Sequence, residues 1–327
     1  MAYGGPDSLA DIEPYLLDVR GGRPVSPEFL AEVRQRYARI GGRSPLLELT
    51  RAQAAGLEKA LNALTPGPSP DSGRGEMYVN PGQDGVPVFR VYVGMRHWTP
   101  YIGEAVAQVA ADGFHDVLAL CMTPHASMMS TGAYLKKLRE AVADSQAPLD
   151  VKFIESWHDQ PFLVQALAKK VRQAVRQFPL DGRLKVHYLF TAHSLPASIV
   201  TQGDPYPNQL LETARLLAVE LGLKPEQWSF GYQSAGAAPG AWLGPSIEDI
   251  LPRMAREGIK NVLVTPVGFM ADHVEVLYDL DVEAQEIAAK EGIHLVRSES
   301  LNASPDFVEG LAKFIFERMT TQNYEAV

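Results

Sequence analysis

One cysteine, Cys121, is all that 327 residues provide. No intramolecular disulfide can form, and neither a CxxC zinc site nor a four-cysteine iron–sulfur cluster can be built within one chain. Cys121 lies in "DVLALCMTP", a buried-strand pattern in which a free cysteine serves as a small core hydrophobe. No run reaches the roughly 18 apolar residues of a membrane span. The start, "MAYGGPDSLAD", lacks the basic-then-apolar pattern of a signal peptide, so a cytoplasmic location is expected. Positive charge is in deficit, with 30 Lys and Arg against 39 Asp and Glu and a net charge of −9. That argues against a nucleic-acid partner. GxSxG, Walker A and GxGxxG motifs are all absent, which leaves a serine hydrolase or nucleotide enzyme poorly supported.

What is present is a large apolar fraction, 46%, enough for a sizeable core and, with this length, for two domains. Strand-like and helix-like segments alternate, the mark of an α/β fold with parallel sheets. The strand candidates are "VFRVYVGM", "DVLALCMT", "DVKFIESW", "KVHYLFTA", "WSFGYQS", "NVLVTPVGF" and "IHLVRSES". Helices are expected in "SPEFLAEVRQRYARI", "YIGEAVAQVAADG", "GAYLKKLREAVADS", "DQPFLVQALAKKVRQAVRQF" and "NQLLETARLLAVELG". "ADGFHDVLAL" aligns without a gap with "REGIKNVLVT", and their flanks run through the same order of elements, which suggests a duplicated half. The expected boundary lies in "SQAPLD", dividing residues 1–148 from 149–327. A Pro-, Gly- and Ser-rich insert over 64–76 reads as a surface loop of the first domain. Two such domains would face a cleft at the carboxyl ends of their strands.

Chemistry-bearing residues cluster at those strand ends. In "GFMADHVEVLYDLDVEAQEIA" the acids Asp272, Glu275, Asp279, Glu283 and Glu286 are spaced 3, 4, 4 and 3 apart, which draws one acidic row along a helix face. Most such faces are simply solvated. This one starts at a strand's carboxyl end, with His273 at its head. His193, in "FTAHSLP", closes another buried strand. Imidazole and carboxylate together suit a divalent first-row metal. So few donors, with no thiolate, would hold such a metal weakly, as in transit. "GYQSAGAAPGAWLGP" supplies Gln233, Ser234 and Trp242 in a loop shaped to close on a flat ligand. "DVRGGRPVSPEF" offers Arg20 and Arg23 for carboxylates. "TPHASMMSTGAYL" brings His125, Ser127, Ser130 and Thr131 to a third strand end.

"AYGGP", "RYARIGGRSPL", "FTAHSLP", "GYQSAG…WLGP" and "TPVGFMADHVEVLYDLD", in that order along the chain, resemble the ferrochelatase family. The resemblance implies a type II chelatase that inserts Fe²⁺ into a porphyrin without ATP. The implied fold is two similar Rossmann-like domains with four-stranded parallel sheets facing a porphyrin cleft. It further implies that His193 is the catalytic histidine and Glu275 its partner at the metal site, with Asp279 and Glu283 as a secondary metal track. The compact lip and the tyrosine of "MAYGGP" resemble the bacterial coproporphyrin III type. Tyr3, Arg20 and Ser44 are the matching porphyrin-binding positions, joined by Gln233, Ser234 and Trp242. His273, Ser130 and Thr131 are expected elsewhere in the cleft. The expectation is therefore an enzyme that needs no cofactor and no iron–sulfur cluster and takes Fe²⁺ as substrate. It would act as a monomer and pass haem to an accepting protein. The competing reading is a porphyrin or haem carrier without chelatase activity.

Overall fold

Valine, leucine, isoleucine and phenylalanine fill the runs that become strands, and each run ends where a polar or glycine-containing loop begins. The computed structural model describes residues 1–65, 88–236, 240–321 and 325–326. The expected insert 64–76 lies outside the described residues beyond Thr65. Two sheets form. One takes β1 (Asp116–Leu120), β2 (Asp150–Ile154) and β7 (Glu325–Ala326) in the order β1-β2-β7. The other takes β3 (Val186–His193), β4 (Trp228–Gln233), β5 (Asn261–Thr265) and β6 (His294–Arg297) in the order β4-β3-β5-β6. All pairings in the second sheet are parallel, with β3 at its centre. Parallel strands require helical crossovers, and the helices between them supply those.

The second sheet matches the four-stranded parallel expectation. The first differs: β1 and β2 are parallel, but β7 is antiparallel to β2. "VFRVYVGM" is not a strand; of these residues only Met95 makes β-bridges, to Ala2 and Tyr101. Strand propensity alone does not make a ladder; the neighbours must be in place as well. β2 lies past the expected 148/149 boundary, yet it pairs with β1, so the first sheet draws on both expected segments. The internal repeat is visible in local construction. Met95 N–H donates to Pro100 O and Tyr232 N–H donates to Pro245 O, each just before a ten-residue helix, Ile102–Ala111 and Ile247–Arg256.

One core spans both sheets. Leu120, Ile154, Phe190, Leu263 and Val296 share it with Phe307 and Leu311 of the closing helix Pro305–Thr321. That helix packs on helices Leu46–Leu64 and Pro161–Val175. Its approach is close enough that a Cβ on Gly310 would lie 2.5 Å from Phe162 Cβ. Trp157, fully buried, stacks between Phe162 and Phe307 and donates its indole N–H to Cys121 O at 3.1 Å. Among the described residues no helix is long and apolar enough to cross a membrane.

His125 belongs to this interior. Its Nε2 lies 2.9 Å from Thr213 Oγ1, and that hydroxyl donates to His158 O at 2.8 Å. The hydroxyl has one proton, so His125 Nε2–H must be the donor and Nδ1 is left bare. Nδ1 is buried without a partner. Burial first, and His158 second, push the His125 pKa from 6.5 down to about 3. The folded state therefore resists a proton that the unfolded chain accepts. The stabilisation is complete above pH 6.5 and drains away as pH falls toward 3. The slope approaches about 1.4 kcal/mol per pH unit. Urea melts of wild type and His125→Gln between pH 7 and 4 should show a shallower acid loss in the variant.

Candidate functional site

The central strand of the parallel sheet delivers His193 at its carboxyl end, opposite Gln233 of β4. The loop after β5 crosses over the same end. Gly268 N–H donates to Thr191 O at 3.3 Å, and a Cβ there would lie 2.6 Å from Ala192 Cβ. Only glycine lets the loop pass so near, and this passage brings His273 and Glu275 to His193. His193 Nδ1 lies 3.2 Å from Glu275 Oε2, and His273 Nε2 lies 3.5 Å from the same oxygen. The His193 contact is an ion-pair distance off the line of a formed hydrogen bond, and Nδ1 has no hydrogen-bond partner. Nε2 has no protein partner among the described residues. His273 Nδ1–H donates to Ala271 O at 3.1 Å, which holds the ring with Nε2 toward Glu275.

Electrostatics follow from this crowding. Burial pushes the Glu275 carboxyl up, but His193 and His273 outweigh burial and hold it well below the usual carboxylate range. Burial lowers His193, and the Glu275 charge, with Asp279 behind it, more than reverses that, so the imidazole is the stronger base. Asp279 is pushed up to about 7 by burial and by the charges of Glu275 and Glu283, although Ser234 opposes the shift. The Ser234 hydroxyl donates to Asp279 Oδ2. Ser234 holds φ +61, which turns the chain back over the acid.

The expected acidic helix is not one α-helix. Val274–Leu277 is α, Asp279–Ala284 is π and Gln285–Lys290 is α again. Glu283 N–H reaches back five residues to Tyr278 O at 3.0 Å. Such widened turns occur frequently at functional sites. The five-acid row shrinks to three. Asp272 is taken by Arg297, Ser300 and Asn302, and Glu286 pairs with Arg39 at 2.7 Å. Glu275, Asp279 and Glu283 remain. Burial raises the pKa of Glu283, and Arg36, which stacks on Tyr278 at 5.2 Å, only partly offsets that. Among the described residues no three donors converge as a resident metal centre would need. His193 and Glu275 form a two-donor site that could hold a divalent cation weakly.

The other expected residues divide. Tyr3 is 39% exposed beside the site, with its ring 4.8 Å from His97 and under the Arg96 guanidinium at 5.8 Å. Burial, then the Glu275 charge, raise its pKa to about 12 against Arg96, so the phenol is protonated at neutral pH. Arg20 is exposed at the end of helix Ile12–Val19, just before Gly21 and Gly22 turn the chain at φ +63 and +83. Trp242 lies with its ring against Gly236, where a Cβ would meet it at 2.5 Å.

Three expected contacts are occupied by the protein itself. Gln233 is buried; its Oε1 accepts from Thr191 and its Nε2 donates to the Glu275 backbone carbonyl at 2.6 Å. It therefore positions the acid and does not face a ligand. Ser44 is buried, and its Oγ accepts from Leu46 N–H at 3.3 Å. Thr131 is buried and bonded both ways with Ser127, while Ser130, half-buried, begins helix Thr131–Ser145.

Sequence reasoning did not find Thr191, His97, Asp18, Arg36 or Tyr278. His97 Nδ1 pairs with Asp18 Oδ1 at 2.7 Å beneath the Tyr3 ring. Its only sequence signal is a histidine four residues after the strand-like Val93, too common to use. Thr191 and Gln233 form a two-link brace behind Glu275. Thr191→Val and Gln233→Leu should each lower metal-insertion turnover roughly 10- to 100-fold. Tetrapyrrole affinity, read by fluorescence quenching, should stay within about twofold, since uniform binding is untouched.

A family model described as Ferrochelatase matches residues 1–319. A Ferrochelatase of Deinococcus radiodurans is 41% identical over 96% of this chain and 93% of its own length. A Coproporphyrin III ferrochelatase of Bacillus subtilis is 36% identical over 98% of this chain and 96% of its own. Among solved structures, SirB from Bacillus subtilis with Fe³⁺ superposes with a TM-score of 0.55 at 11% identity, covering 83% of this chain and 89% of that one. At that identity the likeness establishes the chelatase fold alone.

Proposed function

The chain belongs to the ferrochelatase family, whose members insert metal into porphyrin in haem synthesis, and from that premise we propose that it inserts Fe²⁺ into coproporphyrin III. The observation that carries the reading is the His193–Glu275 pair, 3.2 Å apart, standing at the head of Asp279 and Glu283 and beside Tyr3. A carrier of finished haem has no use for acids lined up behind the histidine.

Insertion exchanges two inner pyrrole N–H protons for one Fe²⁺ and releases two protons. His193 takes one pyrrole proton on Nε2, the nitrogen without a protein partner, passes it to solvent, and then takes the second by the same route. Glu275, facing Nδ1, stabilises the imidazolium that results. Asp279 and Glu283 pass hydrated Fe²⁺ inward by exchanging carboxylate oxygens for water. The shallow donor count keeps the cation moving. Binding that favours a bent macrocycle lowers the barrier, because a pyrrole lone pair must tilt out of plane to meet the metal. Fe²⁺ is the substrate here, and the sequence of steps calls for no cofactor.

The choice of coproporphyrin is supported by the lip. Arg20 and Arg23 stand exposed around a double-glycine turn that follows a helix of only eight residues. Four propionates in coproporphyrin III meet such cations better than the two of protoporphyrin IX. The names of the relatives include both plain and coproporphyrin ferrochelatases, so the lip and not the naming supports this choice.

An anaerobic assay with Fe²⁺ and either porphyrin, followed in the visible bands, decides between the readings. Faster conversion of coproporphyrin III is expected, and faster conversion of protoporphyrin IX would overturn the choice of substrate. Tight binding without insertion would favour the carrier. His193→Ala should lower turnover by roughly 10²–10⁴-fold with porphyrin binding retained.

A further inference from the structure

Asp204 is a buried acid, 5% exposed, that makes no ion pair among the described residues. It lies between the short helix Ser198–Thr201, which follows His193, and the helix Tyr206–Glu220. Three hydrogen-bond donors meet it in place of a cation. Tyr206 N–H donates to Oδ1 at 3.0 Å, while Ser127 Oγ and Met128 N–H donate to Oδ2 at 3.0 and 2.8 Å. The first donor begins the helix; the other two belong to the loop after β1. A carboxylate suits this place because it accepts on both oxygens and donates nothing. An amide, in either orientation, would turn its NH₂ toward one of the two backbone N–H groups. Burying an acid on hydrogen bonds alone costs stability, and capping the helix alone would need one acceptor oxygen, not two.

Each of the two segments runs on to one wall of the cleft. From Tyr206 the path is a single step, since its hydroxyl donates to His193 O at 3.0 Å. From Ser127 it is longer. Ser127 Oγ accepts from Met129 N–H at 3.2 Å, and Met129 O accepts from Arg96 Nη1 at 3.2 Å. The Arg96 guanidinium lies over the Tyr3 ring, and the next residue, His97, donates its N–H to Tyr3 O at 2.8 Å. Hydrogen bonds from the His193 wall and from the Tyr3 wall therefore end on one side chain. The sheets beneath share an apolar core, but apolar attraction is non-directional. Hydrogen bonds fix distance and angle, and these stand at the level of the gap itself.

We propose, resting on the reading of the cleft as a porphyrin site, that Asp204 is a positioning residue that sets the width of the cleft between Tyr3 and His193. A flat macrocycle and a bent one need gaps of different width. A fixed gap favours one of them, and insertion needs the bent one. Loosening the Asp204 strap leaves binding of a flat macrocycle nearly unchanged and removes the preference for a bent one, so the loss falls on the transition state.

Asp204→Asn and Ser127→Ala are the test variants. Coproporphyrin III is the flat probe, and its N-methylated form, whose substituted pyrrole is forced out of plane, is the bent one. Wild type should bind the bent probe roughly tenfold or more tightly than the flat one, read by fluorescence quenching. Asp204→Asn should lose most of that ratio while holding coproporphyrin III within about threefold, and its kcat for iron insertion should fall roughly 10- to 100-fold with KM within about threefold. Ser127→Ala, which leaves the two backbone donors in place, should fall between. The width is also read without any porphyrin. Cys121 is the only cysteine and is buried, so spin labels can be carried on Leu17→Cys and Val200→Cys, both exposed positions. Leu17 adjoins Asp18, which pairs with His97, and Val200 adjoins Ile199, whose carbonyl accepts from Asp204 N–H. The label-to-label distance distribution should broaden or shift when Asp204→Asn is added. An unchanged distribution, or a bent-to-flat ratio equal to that of wild type, would overturn the proposal. A wild type that binds neither porphyrin would strike the reading of the cleft instead, and the spin labels would still decide whether Asp204 sets its width. Should Asp204→Asn fail to fold, Ser127→Ala decides by the same readings.

Discussion

A carboxylate carried into a protein interior is tolerated only when something positive or hydrogen-bonding meets it. Glu275 is met by two imidazoles, 3.2 and 3.5 Å from one oxygen, and the rest of the site follows from that meeting. His193 gains basicity because the anion is there, and the anion stays ionised because His193 is there. Neither could be buried alone without neutralising. The arrangement also explains the character of the next acid. Asp279 has no cation of its own at contact distance and sits behind an ionised Glu275, so it is pushed up to about 7. Glu275 is held low while Asp279 and Glu283 are both raised, so the row is graded from its head outward.

Holding that pair in place falls to a brace of side chains and one close backbone passage. Gly268 passes against Ala192, Gln233 holds the Glu275 carbonyl and Thr191 holds Gln233. Tyr206 adds a hydroxyl on His193 O at 3.0 Å. Three strands, β3, β4 and β5, thus meet at one point, and the interior position of β3 in the sheet is what makes this convergence available. The π turn at Asp279–Ala284 then keeps Asp279 and Glu283 along the same path while Asp281 turns outward to Arg297 at 2.6 Å.

The six longer strands and most helices were readable because burial on both faces of a parallel sheet leaves uninterrupted apolar runs. The closeness of His193 to Glu275 was readable because both lie at or beyond the carboxyl ends of neighbouring strands, where such sheets place ligands. What could not be read were partnerships across the chain. Spacing alone put Asp272 and Glu286 in the acid row, and only the fold reveals Arg297 and Arg39 beside them. Gln233 looked like a ligand-facing amide because a glycine-rich loop follows it. Its burial depends on Thr191, 42 residues earlier. Ser44 and Thr131 were drawn off by helix starts and turns, a use that hydroxyls share with ligand binding.

The unformed "VFRVYVGM" strand belongs to the same lesson and carries it further. Its residues alternate and are apolar, and nothing local forbids a ladder. One edge is committed to Asn62 and Glu58, and the other faces a cavity. Strand character is thus a property of the neighbours as much as of the segment. Where β3 has a strand on each side, its end is rigid enough to fix His193 against Glu275. Where residues 88–94 have a helix on one side and a cavity on the other, the same kind of sequence stays irregular. That segment runs through Gly94 into Arg96 and His97, and these three bond to Ala2 and Tyr3. The wall of the site that carries Tyr3 therefore rests on the less braced sheet, and the wall that carries His193 rests on the fully braced one. A reaction that needs fixed proton acceptors on one side and accommodation of a bending macrocycle on the other is served by that asymmetry.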